Sequence, residues 1–199
     1  MIIVELPDSW RERALVVVAP EDARIWLSDD ELHEAECFRF PRRRQEWLDS
    51  RVAAKMLASV RGHLGDPRQV SIDRPHIHLG NGERRHVSLS HSSPFAGAAI
   101  DDSPVGIDVQ TLRNIDERAV HLFLRDEEEA VMRACTLPYR LIHFWAAKEA
   151  AWKRRSHEFV TLKQLPLRLE EQTAHGLRFD QVETYATGEL VVALTRPTS

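Results

Sequence analysis

The chain has 199 residues, 43% hydrophobic and 29% charged, with a net charge of −4. That balance fits an ordinary globular protein able to bury a core, as one compact domain or two small ones. It argues against a duplex-binding surface, which calls for a basic domain, and no stretch approaches the about 18 apolar residues of a membrane span.

The start, Met1-Ile2-Ile3-Val4-Glu5-Leu6-Pro7-Asp8, lacks a basic segment followed by an apolar one, so a cytoplasmic location is expected. An apolar run at 14–19 predicts a buried strand, and a helix with acidic residues in its first turn is expected from about Ser28. After Pro41 a second helix should run to about His63, ended by Gly62, Gly65, Asp66 and Pro67. Cys37 and Cys135 have neither CxxC nor Cys/His spacing, so both are expected as buried thiols and not as a disulfide framework or zinc site.

From Val70 to Gln110 short apolar segments alternate with turns, and 87–89, 96–100 and 105–109 read as central strands. Asp126 and Glu129 mark a helix start, Pro138 opens a helix ending near Ser156, and 181–195 reads as a hairpin turning at Thr187-Gly188. Each half thus runs strand, helices, strands. The expected class is α+β, with halves 1–100 and 101–199.

Charge is unevenly distributed. Arg39, Arg42, Arg43, Arg44, Arg51 and Lys55 form one cationic group, and Lys148, Lys153, Arg154 and Arg155 a second; both read as local anion sites, although Arg42 and Arg43 fit a solvated helix face equally well.

Three segments carry candidate chemistry. In Val105-Gly106-Ile107-Asp108-Val109-Gln110 a carboxylate falls among strand formers, where a charge without partners would cost several kcal/mol; capping a turn is the plain alternative. In Trp145-Ala146-Ala147-Lys148-Glu149-Ala150-Ala151-Trp152-Lys153, Glu149 and Lys153 share a helix face. Such a pair is commonly an ordinary surface contact, but Glu149 lies on the side of Trp145 and Trp152, an odd place for an idle carboxylate. His91, between Ser90 and Ser92, suits either a structural role or a phosphate donor.

In chain order the segments resemble the SHS, GIDxE and WxxKEAxxK signatures of the 4'-phosphopantetheinyl transferases of the surfactin-synthetase-activating type. The resemblance covers about residues 35–195. It implies a pseudo-two-fold arrangement of two similar α+β halves and a holo-[acyl-carrier-protein] synthase type of activity. The phosphopantetheine group of coenzyme A would pass to a serine of an apo acyl or peptidyl carrier protein, in fatty acid, polyketide or nonribosomal peptide biosynthesis. It further implies Mg2+, with Mn2+ as alternative, held by Asp108, Gln110 and Glu149, and a catalytic set of Glu149, Lys153 and Asp108. Glu149 would serve as, or position, the base.

By the same resemblance His91, Ser90 and Lys153 would contact the coenzyme's phosphates. Arg74, in an Arg74-Pro75 pair like the family's Lys-Pro element, would join Arg51, Arg44 and Lys55 at the 3'-phosphate. Gln110 stands where the signature has glutamate, and Arg154-Arg155-Ser156-His157-Glu158 replaces a glycine-rich turn. These two departures suit a noncatalytic coenzyme A or nucleotide-binding descendant, the competing reading. The chain lacks GxxxxGK[ST] and GxGxxG, which argues against P-loop and Rossmann sites. The expected protein is a monomer with no nucleic-acid or membrane partner.

Overall fold

The computed structural model describes residues 2–62, 66–113, 116–155, 158 and 161–197. The chain divides into two compact units, Met1–Val105 and Gly106–Ser199. Each packs helices on its own antiparallel sheet, which makes the class α+β. No helix among the described residues is long and apolar enough to cross a membrane.

The first unit contains β1 (Ile2–Ile3), β2 (Ala14–Val18), β3 (Ser71–Asp73), β4 (His76–His78), β5 (Arg84–Ser92) and β6 (Phe95–Asp101), in the order β1-β2-β6-β5-β4-β3. Alternate residues Ala96, Ala98 and Ile100 of β6 join one core with Val52, Met56 and Leu57 of α2 (Pro41–Val60), as the two-residue strand period requires. Pro41 opens α2, where its missing N–H is no loss. The shorter α1 (Asp29–Glu36) starts at a capping box in which Glu31 N donates to Ser28 Oγ and Ser28 N to Glu31 Oε2.

The second unit holds β7 (Ile107–Thr111), α3 (Asp126–Ala134), α4 (Arg140–Arg155), β8 (Leu169–Gln172), β9 (Leu177–Phe179), β10 (Val182–Thr187) and β11 (Leu190–Thr195), ordered β7-β11-β10-β9-β8. Ala146, Ala147, Ala150 and Ala151 give α4 a flat buried side, and Phe144 meets Phe179 edge-on at 5.1 Å.

Several expectations need correction. The strand after Val105 begins at Ile107 and, among the described residues, forms an edge of the second sheet paired with β11; it is not central. Its burial comes from α4 lying against it, which mimics a central strand in sequence. The cap of α3 is Arg125, whose N–H donates to Glu128 Oε2 at 2.9 Å, so Asp126 and Glu129 are not the capping pair. Tyr139, with φ 56°, separates Pro138 from the helix, and α4 starts at Arg140. The hairpin loop is Gly188-Glu189, one residue later than expected, because Gly188 supplies the positive φ of 54°. Cys37 is exposed, following the short α1; Cys135 is buried. Positions 63, 65, 156 and 157, read as parts of helix ends, lie outside the described residues.

His143 on α4 is fully buried, with Nδ1 2.8 Å from Thr184 Oγ1 and, among the described residues, no hydrogen-bond partner for Nε2. Burial pushes its imidazole down to about 4 from an ordinary 6.5. The unfolded chain therefore takes up a proton below pH 6.5 that the folded unit refuses. Stability should be complete above that pH and fall toward pH 4 by up to ~3 kcal/mol. Denaturant unfolding at pH 7.5 and 5 checks this, and His143→Gln should flatten the dependence.

Candidate functional site

The second unit assembles Asp108, Gln110, Glu149 and Lys153 where β7 meets α4. Asp108 and Gln110 are two apart on a strand and so share a face. Asp108 is 3% exposed; its Oδ1 accepts from Lys153 Nζ at 2.7 Å and its Oδ2 from Gln110 Nε2 at 2.8 Å. Lys153 Nζ also donates to Ile107 O at 2.9 Å. Gly106 makes the seam possible: a Cβ there would lie 1.9 Å from Ala150 O, so only hydrogen fits between strand and helix.

Glu149 is half-buried, one helical turn before Lys153. Burial pushes its carboxyl up, the charge of Asp108 adds to that, and Lys153 opposes it. Two carboxylates with an amide oxygen beside them form an all-oxygen donor set, which suits a hard divalent cation. The electrostatic conflict between Asp108 and Glu149 is one that a cation relieves. Among the described residues no group of three His, Cys, Asp or Glu forms a ready metal cluster, so Gln110 would have to supply the third oxygen.

The second basic group is not an anion site as a whole. Lys148 is fully buried, with Nζ 2.7 Å from Glu128 Oε2 and 2.5 Å from Leu165 O, which ties α4 to α3 and to the segment before β8. Arg154 bonds Arg196 O and Gln181, and Arg155 bonds Glu158 and Gln181. Lys153 reaches Asp108.

The first unit presents its own cationic face. Arg51 is 8% exposed, its guanidinium 3.4 Å from the centre of the Trp47 ring, and its buried Nε has no hydrogen-bond partner among the described residues. Burial pushes its guanidinium below the ordinary range; Glu34 and Glu31 oppose this, and the nearby charge of Arg74 adds to it. Arg74 is exposed in the turn between β3 and β4, and Arg44 is exposed on α2. Arg51 and Arg74 are thus brought together as two cations sensing each other.

Lys55 is not part of that face. It is fully buried, and its Nζ lies 2.5 Å from Glu31 Oε2. Burial lowers its ammonium against the opposing pull of Glu31. Ser90 is buried on β5 opposite Gly97, and His91 is half-buried with Nε2 3.0 Å from Glu46 Oε2. Sequence reasoning missed Glu31 and Glu46. The first had a visible signal, the Ser28-Asp29-Asp30-Glu31 capping pattern; the second, three and four residues after Arg43 and Arg42, looked like an ordinary helix-surface partner.

A strand-end carboxylate held by a lysine from the facing helix, with a second carboxylate one turn before it, lies within a stretch, residues 104–192, that matches the 4'-phosphopantetheinyl transferase superfamily. Among curated proteins it is similar to the 4'-phosphopantetheinyl transferase psf-1 of Bacillus pumilus, with 37% identity over 68 residues. That match spans 33% of this chain and 29% of the relative.

Proposed function

We propose that the chain transfers the 4'-phosphopantetheine group of coenzyme A to a serine of an apo acyl or peptidyl carrier protein, as a holo-[acyl-carrier-protein] synthase type enzyme and a cytoplasmic monomer. The observation that carries this reading is the Asp108, Glu149 and Lys153 arrangement inside the stretch shared with the superfamily. Each unit sets one long helix on an antiparallel sheet, which supports reading them as two similar halves.

In the transfer, the serine oxygen bonds to the β-phosphorus of the coenzyme's pyrophosphate, and the bond from that phosphorus to 3',5'-bisphosphoadenosine breaks. Glu149 takes the serine proton; a carboxyl raised by burial and by Asp108 is a stronger base than an ordinary one. Asp108, Glu149 and the amide oxygen of Gln110 would hold Mg2+ or Mn2+, which neutralises phosphate charge when bound. Gln110 turns its amide nitrogen to Asp108, so its oxygen is the end left for an ion. Lys153 contacts the phosphates from beside Asp108, and His91 and Ser90 bind them from β5. Arg51 and Arg74, with Arg44 further out, take the 3'-phosphate, for which the unpartnered Arg51 Nε is a ready donor. Lys55 supports the helix pair α1 and α2 from inside and touches no phosphate.

One observation favours the competing reading, a noncatalytic coenzyme A binder: both oxygens of Asp108 already have donors in Lys153 and Gln110, so the carboxylate is neutralised without an ion. Mass spectrometry of apo carrier proteins incubated with coenzyme A and magnesium separates the two. A serine heavier by one phosphopantetheinyl group supports transfer. Tight binding without that gain supports the binder.

Arg51→Ala or Arg74→Ala should weaken binding of coenzyme A roughly tenfold and of dephospho-coenzyme A far less, because the latter lacks the 3'-phosphate. Equal losses in calorimetry would sink the assignment.

Gln110→Glu replaces a donor 2.8 Å from Asp108 with a like charge. The metal-free protein should lose about 1 kcal/mol or more of stability, and magnesium should restore it and bind more tightly without coenzyme A. Thermal melts with and without magnesium decide; identical metal responses in the two proteins would show that position 110 does not reach the ion.

A further inference from the structure

Glu46 has no part in the chemistry above, yet α2 buries it to 9% exposure. Its Oε1 accepts from Arg42 Nε at 2.9 Å, and its Oε2 lies 3.5 Å from Arg43 Nη1 and 3.0 Å from His91 Nε2. Burial alone would raise this carboxyl, but Arg42, His91 and Arg43 together hold it below its usual range. The two arginine side chains are 83% and 69% accessible, so water solvates them whether or not Glu46 is there. Pairs with such exposed arginines contribute little, while a buried carboxylate is costly to keep. The partner that distinguishes Glu46 is the one inside the unit, His91.

A histidine nitrogen that donates to a carboxylate fixes the ring and decides which nitrogen is left over. Here Nε2 is the nitrogen 3.0 Å from Glu46 Oε2, which leaves Nδ1 for a ligand. Resting on the proposed function, we propose that Glu46 is a positioning residue for His91: its carboxylate accepts the Nε2 proton, pins the ring, and directs Nδ1 to a phosphate of coenzyme A. Nδ1 donates to that phosphate when the ring carries both protons, and Glu46 keeps the Nε2 proton in place. Asp49, whose carboxyl is pushed up by burial against the pull of Gln45 and His91, adds a second negative charge on the same helix. Glu46 is the one within hydrogen-bond distance of the ring.

The test reads the His91 ring by nitrogen-15 NMR in the ligand-free protein and coenzyme A affinity by calorimetry. Wild type, Glu46→Gln, Glu46→Leu, His91→Ala and the variant carrying both Glu46→Leu and His91→Ala are compared. Nε2 should carry the proton in wild type and in Glu46→Gln, whose amide oxygen still accepts it, while Glu46→Leu should give a mixture of tautomers. Glu46→Leu should bind coenzyme A roughly tenfold more weakly, yet cause no further loss once His91 is absent. A wild-type ring protonated at Nδ1 and not at Nε2 overturns the proposal without any variant, which covers the case where Glu46→Leu does not fold. Equal affinity losses with and without His91 also overturn it, since Glu46 would then act on the helix and not through the ring. If wild type binds no coenzyme A, the proposed function fails, while the ring signals still decide whether Glu46 holds His91.

Discussion

Glu149→Gln should lower the proposed phosphopantetheine transfer by more than about a hundredfold and leave coenzyme A affinity nearly unchanged. The side chain keeps its size and remains half-buried one turn before Lys153, so the fold around α4 has no reason to change. What disappears is a carboxylate whose basicity is raised by burial and by the neighbouring charge of Asp108. An amide cannot accept the serine proton, and loss of a general base typically costs 10²–10⁴-fold. In the proposed function, affinity for coenzyme A rests instead on Arg51, Arg74, His91 and Lys153, none of which is touched. Glu149 is also assigned to the metal, and the two roles separate experimentally. If metal binding were the whole effect, raising magnesium would restore the rate; if the proton is at issue, saturating metal leaves the variant inactive. Single-turnover transfer across a magnesium titration, beside calorimetric binding, is the measurement. A variant retaining more than about a tenth of the wild-type rate removes Glu149 from the base position.

The legibility of the site in sequence was uneven for physical reasons. Glu149 and Lys153 could be placed together because helix geometry alone puts positions four apart on one face. The α4 helix and the β10–β11 hairpin were legible from periodicity and from a glycine at the turn. Where each cation ends up was not legible, because pairing is a tertiary event. Lys55 and Lys148 looked like members of basic surface groups, yet each is fully buried against a glutamate 24 or 20 positions away. Nothing in local sequence separates a lysine that seeks an outside phosphate from one that meets Glu31 or Glu128 within the fold. The same limit applied to β7, where strand burial supplied by a covering helix has the same apolar pattern as burial between neighbouring strands.

The site therefore depends on a contact with no side chain in it. Gly106→Ala should cost ~3 kcal/mol or more and reduce transfer about a hundredfold, although position 106 touches neither substrate nor proton. The added Cβ would sit 1.9 Å from Ala150 O, 2.9 Å from Ala150 C and 3.1 Å from Arg154 N, all of them α4 backbone. No rotamer change relieves that crowding; the helix must move away from β7 by about an ångström. Gly106 cannot retreat freely, because its N–H donates to Thr195 Oγ1 at 2.9 Å and its carbonyl accepts from Thr195 N at 3.0 Å. The Lys153 bonds to Asp108 at 2.7 Å and Ile107 O at 2.9 Å cross the same seam, so a displaced α4 stretches them and separates Glu149 from Asp108. Gly188→Ala is the control in the same unit. Its φ of 54° makes alanine strained by ~1–2 kcal/mol, but the added carbon meets nothing within 4 Å, so no helix backbone has to move. Denaturant unfolding and single-turnover transfer of both variants give the comparison. Gly106→Ala should lose stability and rate together, Gly188→Ala stability alone; a Gly106→Ala protein with wild-type rate would mean that the β7–α4 seam does not set the positions of Asp108, Glu149 and Lys153.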